Sequence, residues 1–307
     1  MIGSIDYRMK DAPVNDQPRL KYVQCVDSPS PTRMALHRMA YWEWGDAGNP
    51  RVLVCAHGLS RQGRDFDTLA RSLCDGYRVV CPDVAGRGRS DRLGNPMNYQ
   101  LPQYVADMVT LLARLDAETV DWVGTSMGGL IGLGVAALAG SPLRRLVLND
   151  IGPTIEAASL ERIGAYLGMP AHWRTVEDAA DALWTVSTSF GPHTREQWLA
   201  LSAPQLVSDG EGFKPHYDLA IAVPFRAVTP EFAHAGEALL WQAYDGLTLP
   251  TLLLRGAESD LLSHETARSM TTRGPRARLV EFPGVGHAPT LVQPDQVQAV
   301  REFLLSP

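Results

Sequence analysis

The sequence predicts a single α/β domain, with a doubly wound, mostly parallel sheet into which a helical cap is inserted. Two observations predict the sheet: six short apolar runs that lack polar alternation, and helical patterns that lie between most of them. A third observation predicts the cap, because the alternation of strand and helix stops after residue 150 and resumes only near residue 248.

The six apolar runs predict strands that are buried on both faces. Most are rich in valine and leucine and are bounded by glycine, proline or aspartate turn signals. They are RVLVCAHG (51–58), YRVVCPD (77–83), VDWVG (120–124), LRRLVLND (143–150), LPTLLLRG (249–256) and ARLVEFPG (277–284).

Helical patterns separate these runs and also close the chain. In the second of them Tyr104, Met108, Leu111 and Leu115 recur at helical spacing, which predicts one apolar face. The predicted helices cover residues 65–73, 101–115, 128–140 and 293–305.

The N-terminal part predicts an antiparallel hairpin at one edge of the sheet, formed by LKYVQCV (20–26) and HRMAYWEWGD (37–46). The first twenty residues lack the apolar segment of a secretory signal. The longest apolar stretch, 130–140, is too short to span a bilayer. The four cysteines (Cys25, Cys55, Cys74 and Cys81) show no metal-ligand spacing. Together these features predict a reduced, cytoplasmic protein without a bound metal.

The segment 153–247 predicts the cap, and 1–152 together with 248–307 predict the sheet domain. Loops of this length are rare in compact domains, so several helices are expected. The segment holds four of the seven tryptophans, namely Trp173, Trp184, Trp198 and Trp241. Most of them are expected to anchor helix packing, and a few to line an apolar cleft.

The composition favours a small-molecule ligand. The 307 residues carry a formal net charge of -6, and 45% are apolar. Nucleic acids and anionic membranes need a basic surface, so neither is an expected partner. The oligomeric state cannot be predicted from the sequence.

The segment VGTSMGGL (123–130) predicts a nucleophile. Gly124-Thr125-Ser126-Met127-Gly128 matches the pattern G-x-S-x-G, with a predicted strand before it and a predicted helix after it. In such an elbow the serine adopts strained backbone angles and its neighbours two positions away must be small. The alternative is an ordinary glycine-rich turn.

Two further residues complete a predicted catalytic set. His287, in FPGVGHAP (282–289), follows the last strand and has the chemistry of a general base. Asp260, in LLLRGAESDLL (252–262), follows the preceding strand and is predicted to orient the histidine. Glu258 is a nearby rival, and Asp150, at the end of the strand 143–150, is the second choice. The order Ser126, Asp260, His287 is the order expected for such a sheet.

These motifs together resemble the α/β-hydrolase superfamily, in particular its esterase- and lipase-like members. CAHGLSRQGRDFD (55–67) resembles the oxyanion loop of that family. CPDVAGRGRSD (81–91) resembles its D-x-x-G-x-G-x-S loop, which follows the next strand. The resemblance implies that the backbone N–H groups of Leu59 and Met127 stabilise the oxyanion. Haloalkane dehalogenases and epoxide hydrolases of this fold would need aspartate in place of Ser126.

The polar residues Arg61, Arg64, His216 and Tyr217 are candidates for substrate contact, although surface or structural roles are the more common ones for such residues. An arginine in the cleft would suit a substrate that carries a carboxylate.

The predicted function is a cofactor-independent serine hydrolase that cleaves small carboxylic esters through an acyl-enzyme. One alternative is carbon–carbon bond hydrolysis of a diketone acid, which contact between Arg61 and the ligand would favour. A second alternative is a non-catalytic ligand-binding protein on the same fold.

Overall fold

A computed structural model describes residues 17–30 and 33–306 of the chain. Within these residues the central sheet has eight strands. In chain order they are β1 (Arg19–Ser30), β2 (Arg33–Trp44), β3 (Val52–Ala56), β4 (Arg78–Pro82), β5 (Val120–Thr125), β6 (Leu143–Asn149), β9 (Thr251–Gly256) and β10 (Arg278–Phe282). The strands β7 (Leu206–Asp209) and β8 (Gly212–Pro215) form a separate small hairpin.

The sheet has the order β1-β2-β4-β3-β5-β6-β9-β10. β1 and β2 pair antiparallel, as do β2 and β4, and every later pair is parallel. From β3 the chain first adds β4 on one side, and it then returns to add β5, β6, β9 and β10 on the other side. Ligands of such sheets bind outside the carboxyl ends of the strands near this reversal. The predicted fold class is confirmed.

Alternate residues of the central strands enter two different cores, which explains the continuous apolar runs. In β3, Val52 and Val54 pack on one side, and Leu53 and Cys55 on the other. The first side is covered by α2 (Leu101–Leu115), α3 (Met127–Ala136) and α9 (His264–Thr272). The second side is covered by α1 (Asp67–Leu73) and α10 (Pro294–Leu305).

The predicted helices 65–73, 101–115 and 293–305 are present with small shifts at their ends. The predicted helix 128–140 ends earlier, at Ala136. Four residues of turn follow it, the last of them Gly140 at a φ of 78° just before Ser141-Pro142. The helix α9 was not predicted.

The N-terminal hairpin is longer than predicted, since β1 and β2 have 12 residues each. A buried polar cluster fixes it to α2: His37 Nε2 lies 3.0 Å from Asp107 Oδ2, and Gln103 Nε2 donates to Asp107 Oδ1 at 2.7 Å. The prediction about the first twenty residues falls mostly on 1–16, which lie outside the described residues. No helix in the described ranges is both long and apolar enough to cross a membrane.

Residues 153–247 connect β6 to β9 and are called the insertion below. Its helices are α4 (Ala157–Tyr166), α5 (Val176–Thr185), α6 (Arg195–Ser202), α7 (Ala222–Arg226) and α8 (Pro230–Asp245). The hairpin of β7 and β8 also belongs to it and was not predicted, although Gly210 in its turn is a typical signal.

Two of the four tryptophans of the insertion pack α5 against α6, and a third contacts a residue of its own helix. Trp184 and Trp198 meet edge to face with their ring centroids 4.9 Å apart. Trp241 packs edge to face on Tyr244. Trp173 differs, because it lines the cavity described next.

Candidate active site

Ser126 occupies a tight turn between β5 and α3. Its φ of 52° and ψ of -120° are strained for a residue with a side chain. A Cβ on Gly124 would lie 2.3 Å from the carbonyl oxygen of Gly128, and one on Gly128 would lie 2.0 Å from that of Ala56. The two flanking glycines are therefore required, as the sequence pattern predicted.

His287 lies between Ser126 and an aspartate. Its Nε2 is 3.0 Å from Ser126 Oγ, and its Nδ1 is 2.7 Å from Asp150 Oδ2. Because a carboxylate only accepts, Nδ1 carries the proton and Nε2 accepts from the serine hydroxyl. Asp150 is fully buried, and the His287 side chain is 12% exposed. The arrangement can deprotonate the serine hydroxyl and stabilise the imidazolium that results.

The prediction that Asp260 orients the histidine is wrong. Asp260 lies on the surface, where both of its oxygens accept from Arg162, at 2.8 and 2.9 Å. Its side chain is 48% exposed. The loop after β9 turns so that Ser259 points inward and Asp260 outward. The rival Glu258 is exposed as well.

The Asp150 carboxylate is held by two donors besides the histidine. The Gly256 N–H donates to Oδ1 at 2.9 Å, and the Ser259 hydroxyl donates to Oδ2 at 2.6 Å. Asp150 itself has a φ of 55°, and its own N–H donates to Leu254 O at 2.8 Å. The loop that was predicted to supply the acid thus supplies a hydroxyl that fixes it.

His57 organises the loop that follows β3. Its Nε2 accepts from the Val84 N–H at 2.9 Å, so Nδ1 carries the proton that is donated to Gly58 O at 2.7 Å. Burial lowers the pKa of His57 well below its usual value, which keeps it neutral. Buried Arg87 reinforces the loop by donating to Leu59 O at 2.9 Å.

A cavity of about 300 Å³ opens over Ser126 and His287. Its walls come from the loop after β3 and from the insertion, and most of the side chains are apolar. The apolar and aromatic lining residues include Leu59, Ile163, Tyr166, Met169, Trp173, Leu183, Val186, Phe190, Leu206 and Tyr217. A larger cleft of about 520 Å³ shares Ala171, Pro215 and Tyr217 with this cavity but contains none of the three site residues. We therefore assign the chemistry to the smaller cavity.

Arg61 lines the cavity, but its guanidinium is already engaged. Nε and Nη2 donate to the two oxygens of Asp65, at 2.6 and 2.8 Å. Burial raises the pKa of Asp65, and the Arg61 charge opposes that shift. Arg64 pairs with Asp67 instead and does not line this cavity. The contact expected of Arg61 in a carbon–carbon bond hydrolase would have to compete with Asp65.

His216 and Tyr217 also line the cavity. Both nitrogens of His216 are bonded to backbone: Nδ1 accepts from the Gly88 N–H at 2.7 Å, and Nε2 donates to Ser60 O at 3.1 Å. His216 therefore ties the insertion to the two loops beside Ser126. Burial lowers its pKa to about 3. Burial raises the pKa of Tyr217.

Replacing His216 by glutamine should flatten the pH dependence of stability. The unfolded histidine binds a proton below about pH 6.5, whereas the folded one stays neutral down to about pH 3. The free energy of unfolding should thus decrease as the pH is lowered through this window, by up to about 1.4 kcal/mol per pH unit for this group. Urea unfolding at several pH values between about 7 and 5 measures the slope. His264→Gln, at an exposed position of α9, is the control, and equal slopes in all three proteins would contradict the assignment.

Besides Ser259, sequence reasoning missed Asn149 and Ser189, which also position the site. Asn149 Nδ2 donates to Thr125 Oγ1 at 2.9 Å and to Pro289 O at 2.8 Å, linking the serine turn to the histidine loop. Ser189 of the insertion donates its hydroxyl to His287 O at 2.9 Å. No motif marks either residue, since each acts through a contact between distant parts of the chain.

The strand–serine–helix turn, the buried histidine–aspartate pair and the mostly parallel sheet define an α/β hydrolase. The chain belongs to the alpha/beta hydrolase family, whose family model matches residues 53–300. The 3-hydroxybutyrate-oligomer hydrolase of Cupriavidus necator is 56% identical over 290 residues, which cover 93% of this chain and 97% of that protein.

Two solved structures share the fold along nearly the whole chain. An alpha/beta hydrolase from Novosphingobium aromaticivorans superposes with a TM-score of 0.81 at 36% identity, covering 94% of this chain and 98% of that one. A putative hydrolase from Rickettsia typhi has a TM-score of 0.84 at 28% identity, covering 94% and 99%. These similarities confirm the resemblance drawn from the motifs and the prediction of an enzyme.

Proposed function

We propose that the protein hydrolyses carboxylic esters with Ser126 as nucleophile, His287 as general base and acid, and Asp150 as the residue that orients the histidine. The continuous contact from Ser126 Oγ through His287 to Asp150, at the floor of a cavity, carries the proposal. His287 Nε2 takes the serine proton as Oγ attacks the carbonyl carbon. It then protonates the departing alcohol as the ester C–O bond breaks. Water, deprotonated by the same nitrogen, attacks the acyl carbon; the bond to Ser126 Oγ breaks, the acid is released, and His287 returns the proton to Oγ.

The N–H groups of Leu59 and Met127 are proposed to hold the oxyanion. Leu59 follows Gly58, whose carbonyl is turned toward the His57 ring, and it lines the cavity. Met127 is the first residue of α3, where an N–H has no acceptor within the helix and lies at the positive end of the helix dipole. Two such donors stabilise a tetrahedral intermediate, and each is worth roughly 3 kcal/mol in other hydrolases.

The insertion is proposed to act as a cap over this chemistry. Its residues supply most of the apolar walls of the cavity, and Ser189 and His216 bond it to the histidine loop and to the loop after β3. Apolar walls exclude water from the nucleophile until the substrate is in place. The division into a sheet domain (1–152 and 248–307) and a cap (153–247) is part of this proposal.

Oligomers of 3-hydroxybutyrate are the substrate class that the comparison with the Cupriavidus necator protein supports. Such an oligomer has ester bonds between short branched acyl units, a hydroxyl at one end and a carboxylate at the other. The cavity suits this chemistry, because its walls are mostly apolar and Arg162 lies among them. Arg162 shares its charge with exposed Asp260, and it is proposed to attract the terminal carboxylate.

A substrate panel tests the proposed reaction. The purified protein is assayed with the dimer and trimer of 3-hydroxybutyrate, and with p-nitrophenyl butyrate and p-nitrophenyl palmitate. We expect release of monomeric 3-hydroxybutyrate and cleavage of the butyrate ester, with the palmitate ester at least roughly tenfold slower because a cavity of this size cannot enclose its chain. A folded protein that cleaves none of the four esters would refute the proposed function.

A further inference from the structure

Gln205, a residue of the cavity wall, has an unused hydrogen-bond acceptor. The residue is 5% exposed and lines the cavity together with Ser126. Its Nε2 donates to Asp65 Oδ1 at 2.8 Å. Its Oε1 is buried and has no hydrogen-bond partner in the part of the chain that the structure describes. A buried acceptor without a donor costs free energy, so such groups tend to be kept where a ligand supplies the donor.

The orientation of the Gln205 amide is fixed by the charges behind it. The two oxygens of Asp65 accept from Nε and Nη2 of Arg61, so both oxygens already serve as acceptors. If the amide were flipped, Oε1 would face this carboxylate and the bond would be lost. The Arg61–Asp65 pair therefore keeps the amide nitrogen turned toward Asp65 and leaves Oε1 as the remaining polar atom.

Gln205 is connected through Asp65 to Arg61, which lines the cavity beside Gly58. A Cβ placed on Gly58 would be 3.7 Å from Ser126 Cβ and 3.7 Å from Arg61 Cγ, so these two side chains flank Gly58. Most of the neighbouring wall is apolar, with Leu183, Phe190 and Leu206 among its residues. A donor on the acyl chain of a bound ester would thus meet Gln205 in surroundings that offer it few other partners.

We propose that Gln205 Oε1 accepts a hydrogen bond from a hydroxyl group on the acyl chain of the substrate, and that it selects hydroxyacyl esters over simple acyl esters. The inference rests on the proposed function and adds the part of the substrate that the enzyme recognises. A hydroxyl is the matching group, since a carboxylate or ester oxygen at this point would place acceptor against acceptor. Arg61 and Asp65 act through Gln205 as positioning residues.

The test compares kcat/KM for p-nitrophenyl 3-hydroxybutyrate with kcat/KM for p-nitrophenyl butyrate. The leaving group is the same, so the ratio isolates the hydroxyl. We expect the wild-type protein to prefer the hydroxy ester by roughly tenfold or more, as one hydrogen bond to a buried polar group allows. In Gln205→Met, which keeps the length of the side chain without its acceptor, the ratio should fall to about one.

A control variant and a modified substrate separate recognition from structure. Gln242→Met changes an exposed glutamine of α8 outside the cavity, and it should keep the wild-type ratio. p-Nitrophenyl 3-methoxybutyrate retains the oxygen but cannot donate, so the wild-type protein should lose its preference with this ester. The comparison with the methoxy ester tests whether the wild-type protein recognises the hydroxyl as a donor, even if Gln205→Met does not fold.

Three results would overturn the inference: a wild-type ratio near one, an unchanged ratio in Gln205→Met, or full preference for the methoxy ester. An unchanged ratio with both rates reduced would show that Gln205 is only structural. Failure to cleave either ester would instead refute the proposed function, so the two failures can be told apart.

Discussion

The variant Ser126→Ala is expected to lose about 10⁴-fold or more of its kcat on p-nitrophenyl butyrate. The hydroxyl removed is the atom that would form the acyl-enzyme, and it is the partner of His287 Nε2 at 3.0 Å. Without it, the remaining groups can bind the ester and stabilise an oxyanion, which leaves only a slow reaction with water. The assay compares initial rates at saturating substrate, normalised to the mass of purified protein.

The folded state of Ser126→Ala should be preserved, which makes the activity loss interpretable. Ser126 is strained at a φ of 52°, and alanine has the same backbone restrictions, so circular dichroism and melting temperature should stay close to those of the wild type. Thr125→Ala, one residue earlier, is a suitable companion, because it loses the contact with Asn149 but keeps the nucleophile. Retention of more than roughly one-tenth of the activity by Ser126→Ala would contradict the assigned nucleophile.

The variant Asp150→Asn is expected to reduce kcat by about 10³- to 10⁴-fold. An amide in place of the carboxylate cannot stabilise the imidazolium, and it can donate to His287 Nδ1 and so favour the wrong tautomer. The loss corresponds to roughly 4 to 5 kcal/mol of transition-state stabilisation. The measurement is the same esterase assay, repeated on protein whose fold has been checked.

Asp260→Asn is the matched control for Asp150→Asn, since it makes the same chemical change in the residue that the sequence alone favoured. Its carboxylate is half exposed and pairs with Arg162, and such surface pairs contribute about 0 to 1 kcal/mol. Turnover of a neutral ester should stay within about threefold of the wild type. A large loss in Asp260→Asn together with a small loss in Asp150→Asn would reverse our assignment.

Much of the fold follows from the sequence because burial on both faces leaves a strong signal. The runs at β3, β5 and β9 could be identified without an alignment, since both sets of alternate residues enter a core. The position of Ser126 could be predicted for a related reason. Its two glycines are required by backbone contacts, so the local pattern determines the local structure.

The aspartate that contacts His287 could not be predicted in the same way, because the spacing of residues does not show which way a loop turns. Asp260 and Asp150 both follow strands that end at the same edge of the sheet. Three consecutive polar residues, Glu258, Ser259 and Asp260, could each have turned inward, and Ser259 is the one that does. The positive φ of Asp150 aims its carboxylate at His287, and no sequence signal marks that conformation in a non-glycine residue.

Residue type predicts which polar residues can line the cavity, but not whether their hydrogen-bonding groups are available to a ligand. Arg61 and His216 were identified as candidates by residue type, and both do line the cavity. Their hydrogen-bonding capacity is nevertheless largely used by other partners: Asp65, four residues along the chain, binds Arg61, and the distant Gly88 and Ser60 bind His216. Gln205 was not identified, because an unsatisfied acceptor becomes visible only when every contact is known.

The most direct test of the central claim is to map the site at which a fluorophosphonate ester labels the protein. Intact mass should show one adduct per chain, and peptide mapping should place it on Ser126. Labelling should be absent from Ser126→Ala, strongly slowed in Asp150→Asn and close to wild type in Asp260→Asn. An adduct on another residue, or equal labelling rates in the two aspartate variants, would contradict the catalytic roles proposed for Ser126, His287 and Asp150.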